Sequence, residues 1–222
     1  MVVVILWSSM DYSFFKQQIP KIKDLSLPGE SSHYKMIPAT RIKELQEGEI
    51  NKETPRKAGV MALFYPNEEN QTNLLLILRK TYKGVHSNQI AFPGGKAEKE
   101  DLNILETALR ETNEEIGVAS DKIKVIKSIT EVYIPPSNFL VHPFIGLYDQ
   151  TGPFIKQETE VEEIVEVSLI DFLDEERIVI QELSTSYSKN IEVPAFNLNG
   201  YKVWGATAMM LSEIKELLKQ VL

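Results

Sequence analysis

A chain of 222 residues with 43% hydrophobic and 25% charged content is ordinary material for one globular domain with a sizeable core. Its net charge of −8, from 24 basic against 32 acidic residues, argues against general nucleic-acid binding, although local cations or a metal could still hold an anionic ligand. There is no cysteine, hence no disulfide, thiolate zinc site or cysteine nucleophile, and a cytoplasmic location is expected.

Residues 2–7 (VVVILW) form an apolar run too short to cross a bilayer and without a basic leader, so no membrane association is expected. Met10-Asp11-Tyr12 reads like a natural start. The expected organisation is therefore an upstream extension over residues 1–9 and a single domain over 10–222, with an N-terminal helical segment (11–56) and a core (57–222). Residues 11–25 predict a short amphipathic helix, followed by a break at Pro28-Gly29 and a polar stretch to about Arg56. Two apolar runs, 60–65 and 74–78, predict an antiparallel strand pair buried on both faces. A helix is predicted from Asp101 or Asn103 to Ile116, with strands at 122–133, 139–148, 161–168, 177–187 and 191–198. A last helix runs from Ala206 to about Val221, so the pattern as a whole is that of an α+β sandwich.

The chemistry concentrates in the helix that ends at Ile116. Leu105, Leu109, Thr112 and Ile116 form one stripe that can face a core. Glu111 and Glu115 lie about 40° apart around the axis, and Glu114 lies beyond Glu111 on the side away from the stripe. Three anions so close are tolerable on a solvated face or with hard cations between them. A run of E-x-x-E-E alone is more often a solvated surface. The flanks favour the metal site: Arg110 stands four residues before Glu114, and Phe92-Pro93-Gly94-Gly95 makes a tight turn that can bring backbone N–H groups to a phosphate. Gly117 is expected to stop the helix in a left-handed cap.

These residues resemble the Nudix hydrolases, whose signature is G-x5-E-x7-R-E-U-x-E-E-x-G-U with U aliphatic. Arg110 to Val118 match its second half, with Thr112 at the first aliphatic position. Arg110 lies 110 − 95 = 15 residues after Gly95, one more than the general pattern, so the early acid is Asp101 or Glu100. Residues 78–95, with Arg79, His86, Gln89 and the FPGG turn, resemble the extra motif that precedes the box in coenzyme A diphosphatases, which also tend to carry the longer spacing and an Asp. Lys80 replaces a usual small residue, and the second basic residue, Lys83, comes one position early.

The resemblance implies an α/β/α sandwich with a mixed sheet between helices. It implies metal-dependent hydrolysis of coenzyme A or acyl-CoA, a small-molecule nucleotide substrate, to 3′,5′-ADP and (acyl-)4′-phosphopantetheine. Expected metal ligands for Mg²⁺ or Mn²⁺ are Glu111, Glu114, Glu115 and the Gly95 backbone, with Arg110 orienting a carboxylate. Glu160 or Glu163 is the expected general base, with Glu131 an outsider. Arg56, Arg79, Lys83, His86 and the Gly94 backbone are expected at the substrate's phosphates, although a surface role is an even alternative for each cation. His142 reads as structural, and core packing outweighs adenine stacking for Phe139 and Trp204. Hydrolysis of ADP-ribose or another nucleoside diphosphate derivative, and a non-catalytic nucleotide-sensing module, are the alternatives. Dimers are common in the family, so a homodimer is among the expectations.

Overall fold

The computed structural model describes residues 11–38, 54–80, 89–183 and 191–222. The elements in order are α1 (Tyr12–Gln18), α2 (Glu30–His33), β1 (Arg56–Pro66), β2 (Thr72–Arg79), β3 (Ile90–Ala91), β4 (Gly94–Lys96) and α3 (Ile104–Ile116). They continue with β5 (Ile123–Ser128), β6 (Val132–Ile134), β7 (Phe139–Tyr148), β8 (Val161–Ser168), α4 (Leu169–Leu173), β9 (Ile178–Leu183), β10 (Ile191–Leu198), β11 (Tyr201–Val203) and α5 (Gly205–Leu218). The predicted extension over residues 1–9 lies outside the described residues.

Eight strands form one mixed sheet in the order β3-β2-β1-β7-β5, with β4 on β1, β6 on β7 and β8 on β2. The β1–β7 pair is parallel and the other pairs are antiparallel. A second antiparallel sheet has the order β11-β10-β9. One face of the large sheet buries Ala62, Phe64, Leu74, Leu76, Val165 and Val167 with α1, α5 and the small sheet. The other buries Met61, Leu63, Leu75 and Ile77 under Ala108, Leu109 and Ile116 of α3. β1 and β2 are apolar on both sides because both faces are covered. The result is the expected α/β/α sandwich.

Three predicted elements differ in detail. The N-terminal helix is α-helical only to Gln18 and continues as a 3₁₀-helix over Ile19–Asp24, because Pro20 supplies no N–H. The predicted strand at 122–133 divides into β5 and β6, the former with a register shift between Val125 and Lys127. The break at Pro28-Gly29 is followed by α2 and a 3₁₀ turn (Tyr34–Met36) within the polar stretch expected to run to about Arg56, of which residues 39–53 lie outside the described residues.

The N-terminal segment is tied to α5 through one carboxylate. Glu213 is fully buried and accepts from the Gly29 N–H (3.1 Å), His33 Nε2 (3.0 Å), the Thr130 N–H (3.1 Å) and Thr130 Oγ1 (2.6 Å). Burial alone would raise its pKa, but the bonds from His33, Thr130 and Gly29 outweigh that and hold it below the usual glutamate range. A depressed folded pKa contributes stability that is present above the unfolded value and lost as pH falls through the folded one. Glu213→Gln is expected to cost about 3 kcal/mol at pH 7, because partners built for a carboxylate are left short of acceptors. The gap from wild type should shrink once pH drops below about 4. Urea unfolding at several pH values reads both, and a constant gap down to pH 3 would contradict the carboxylate's role.

Candidate active site

The site helix starts where Asn103 Oδ1 accepts from the Leu105 and Glu106 N–H groups (3.0 and 3.1 Å), and it stops at Gly117 in the left-handed region (φ 74°). Leu109, Thr112 and Ile116 face the core as predicted, while Leu105 is only half-buried. Glu115, expected to share a face with Glu111, is buried, 1% exposed. Its Oε2 accepts from the Gly94 N–H (2.8 Å) and its Oε1 from Arg79 Nη1 (3.1 Å). Burial pushes its pKa up to about 7, with Arg79 and the Gly94 N–H opposing and Glu111 and Glu160 adding to the rise. Glu111 is raised mainly by burial, with Arg110 opposing, while the Glu114 side chain is 53% exposed.

Arg110 is the hub of the outer face. It donates to Glu111 Oε1 (3.0 Å), to Glu114 Oε2 (3.1 Å), to the Lys96 carbonyl (3.3 Å) and through two nitrogens to Asp101 (2.9 and 3.1 Å). The Arg110 bonds, with help from the Thr107 hydroxyl and the Glu98 N–H, hold Asp101 well below the usual carboxylate range. Asp101, which sequence reasoning left open against Glu100, is thus the acid that grips the arginine. Arg110 thus contacts two of the three carboxylates of the E-x-x-E-E run.

Two expectations need correction. The Gly94 N–H was expected at a substrate phosphate; it is taken by Glu115, since a buried carboxylate requires donors. Glu163 was an alternative base. It pairs with Leu78 on the sheet face opposite α3 and accepts from Tyr201 Oη (2.6 Å). Glu160, by contrast, reaches Arg79 Nη2 at 3.9 Å and acts electrostatically on both Glu111 and Glu115. Arg79 therefore bridges carboxylates. Arg56 is not brought to them: its guanidinium lies 4.2 Å over Phe139 and donates to the Ser137 carbonyl (2.7 Å). Glu131 is paired with His142 Nδ1 (2.9 Å), in keeping with a structural histidine. Lys83 and His86 lie outside the described residues.

At Gly95 a Cβ would stand 2.4–2.5 Å from the Glu111 carboxylate, so the two can share this place only while residue 95 is glycine. The Gly95 backbone and the Glu111, Glu114, Glu115 and Glu160 oxygens make a hard donor set, which suits Mg²⁺ or Mn²⁺ and not a softer metal. As they stand, no three acidic or histidine side chains among the described residues converge on one point, because Glu114 and Glu115 are turned to their arginines. Glu111 already lies against Gly95, and exposed Glu114 can swing toward it at little cost, so the residues fit such an ion.

Comparisons with known proteins show the family and the fold. Residues 55–185 match the NUDIX domain family. The chain is 31% identical over 170 residues to the uncharacterized Nudix hydrolase NudL of Yersinia pestis (strain Pestoides F), an alignment covering 73% of this chain and 80% of the relative. NudL of Yersinia pseudotuberculosis serotype O:1b (strain IP 31758) matches to the same extent. Among solved structures, the Nudix hydrolase RenU from M. smegmatis shares the fold, with a TM-score of 0.52 at 14% identity over 76% of this chain and 88% of that one. No helix among the described residues is long and apolar enough to cross a membrane. With the family matched over more than half its length, and with Arg110, Glu111, Glu114 and Glu115 gathered on one helix beside Gly95, the chain belongs to the Nudix hydrolases, enzymes that act on pyrophosphate bonds and generally use divalent metal ions.

Proposed function

We propose that this enzyme hydrolyses the diphosphate linkage of coenzyme A or acyl-CoA. Water adds across the P–O–P bridge, giving 3′,5′-ADP and (acyl-)4′-phosphopantetheine. The observation that carries the substrate reading is Asp101 gripping Arg110 through two nitrogens. It supports the one-residue-longer box with an early Asp that the coenzyme A diphosphatases resemble, and Arg79, Gln89 and FPGG stand beside it in the chain.

In this reading Glu111, Glu114, Glu115 and the Gly95 carbonyl hold Mg²⁺ or Mn²⁺. Held there, such an ion would screen the diphosphate and lower the pKa of water from about 15.7 toward neutrality. Arg110 orients Glu111 and Glu114, and Asp101 fixes Arg110. Glu160 takes the proton of the attacking water. Arg79, which bridges Glu115 and Glu160, would contact the diphosphate, and Lys83, His86 and Arg56 would contribute to the substrate's outer phosphates. The absence of cysteine supports a cytoplasmic enzyme.

The test is mass spectrometry of products after incubation with coenzyme A, ADP-ribose and a dinucleoside polyphosphate, each with Mg²⁺, Mn²⁺ or chelator. Metal-dependent release of 3′,5′-ADP from coenzyme A, well above turnover of the other two, is the expected outcome. Preferential cleavage of ADP-ribose would discard the substrate, and cleavage of none would favour a nucleotide-sensing module.

A further inference from the structure

Glu160 lies in the segment between β7 and β8, far in sequence from the helix it must serve, and a backbone strap sets its distance from that helix. The last carbonyls of α3 have no partner within the helix. Here the chain supplies them: the Ile155 N–H donates to the Ile116 carbonyl (3.0 Å) and the Gln157 N–H to the Glu115 carbonyl (2.9 Å). The Gln157 carbonyl then accepts from the Glu160 N–H (3.3 Å) and the Val161 N–H (3.0 Å), closing a turn that presents Glu160. The residue whose carboxylate meets Arg79 is therefore one hydrogen bond from Gln157, which is one hydrogen bond from Glu160.

Both ends of the strap are anchored. Phe154 packs edge-on against Tyr65 (4.7 Å between ring centroids) and beside Tyr148 (5.9 Å). Val161 is fully buried, and the Lys80 N–H donates to the Glu160 carbonyl (2.8 Å) while Lys80 Nζ holds the Glu158 carbonyl. Ile155 at 70% exposure and Glu158, Thr159 and Glu160 on the surface, with Lys156 and Gln157 half-buried, show that side-chain burial does little to hold the middle of the strap. Its backbone bonds hold it.

We propose that residues 155–160 are a positioning strap that registers Glu160 against the carboxylates of α3, and that the Gln157 backbone N–H is the bond on which this register depends. The inference rests on the reading of Glu160 as the fourth carboxylate of the site. It adds that the carboxylate's usefulness is set from within the backbone, at a residue that touches neither metal nor substrate.

The test is a double-mutant cycle read in two ways: free Mn²⁺ by electron paramagnetic resonance during titration, and coenzyme A hydrolysis. Glu160→Gln and Gln157→Pro should each weaken Mn²⁺ binding by about tenfold and lower kcat with KM for coenzyme A unchanged. The double variant should be no worse than Glu160→Gln alone, because both remove one interaction. Gln157→Ala, which keeps the N–H, should stay within about twofold of wild type. Should Gln157→Pro not fold, Phe154→Ala loosens the strap from its anchor and enters the same cycle. Multiplicative losses in the double variant, or a Gln157→Ala effect as large as that of proline, would overturn the proposal. If wild type binds Mn²⁺ but hydrolyses nothing, the proposed reaction fails and the Mn²⁺ cycle still decides the strap. If it binds no Mn²⁺, both fail.

Discussion

Replacing Glu115 by glutamine should lower kcat for diphosphate hydrolysis by about 10³-fold while leaving the protein folded. Loss of a ligand that helps a metal stabilise transition-state charge is worth several kcal/mol, and about 4 kcal/mol corresponds to that factor. The fold survives because of the way this carboxylate is paid for. It is buried, its pKa is pushed up to about 7, and one backbone N–H and Arg79 only partly offset the desolvation. A folded pKa above the unfolded one contributes stability below the unfolded value and loses it as pH rises through about 7. At pH 8 the ionised Glu115 therefore works against folding in the absence of metal, and the amide removes that penalty. Thermal unfolding at pH 8 should accordingly show Tm equal to or above wild type without metal. Wild type should gain about 2.7 kcal/mol at a hundredfold excess of Mg²⁺ or Mn²⁺ over Kd, or about 5–10 °C for a chain of this size, and Glu115→Gln should lose most of that gain. Retained turnover within tenfold of wild type would remove Glu115 from the ligand set.

The same buried carboxylate marks the limit of what sequence reasoning can reach. The helix, its glycine stop and the longer strands along the chain were legible because periodicity and turn residues act over a few positions. The angular placement of Glu111, Glu114 and Glu115 was legible too. What the helical wheel could not show is that Glu115 is covered by Arg79 and the Gly94 turn, since that burial depends on β2, β4 and α3 meeting in space. Spacing alone left Asp101 and Glu100 equivalent, and only the nine-residue reach back from Arg110 separates them. Glu163 sits three positions after Glu160, but the register of β8 on β2 turns its side chain to the opposite sheet face, where Tyr201 takes it. The irregularity between Leu78 and Arg79 in that ladder carries no sequence signal as plain as a glycine or a proline. The backbone strap at Gln157 was invisible for a related reason: its function lies in an N–H that every residue but proline possesses.

The two glycines of the turn should fail in opposite ways when each is given a single methyl group. Gly94 has φ +150°, and a Cβ there would stand 2.4 Å from the Gly59 carbonyl oxygen and 2.6 Å from Val60 Cα. Those are backbone atoms of β1, which is paired on one side to β4 and on the other to β7 and cannot retreat. Overpacking and a strained backbone each cost about 1–3 kcal/mol, so Gly94→Ala should lose about 4 kcal/mol, or about 10–15 °C in Tm. Activity falls with it, since the N–H that holds Glu115 moves. Gly95 has an ordinary backbone, and the three atoms nearest its Cβ would all belong to the carboxylate of Glu111, at 2.4–2.5 Å. That carboxylate is the free end of a flexible side chain and can rotate away, so Gly95→Ala should change stability by less than about 1 kcal/mol. Its cost falls on the site: Glu111 is expelled from its position against Gly95, and kcat should drop about 10–100-fold with a matching rise in the Mn²⁺ concentration needed for half-maximal activity. Calorimetry and Mn²⁺-dependent kinetics on the two variants separate the effects. A Gly95→Ala enzyme with wild-type kcat and Mn²⁺ requirement would mean that Glu111 does its work from somewhere other than the place where α3 holds it, and the ligand set would have to be drawn again around Glu114, Glu115 and Glu160.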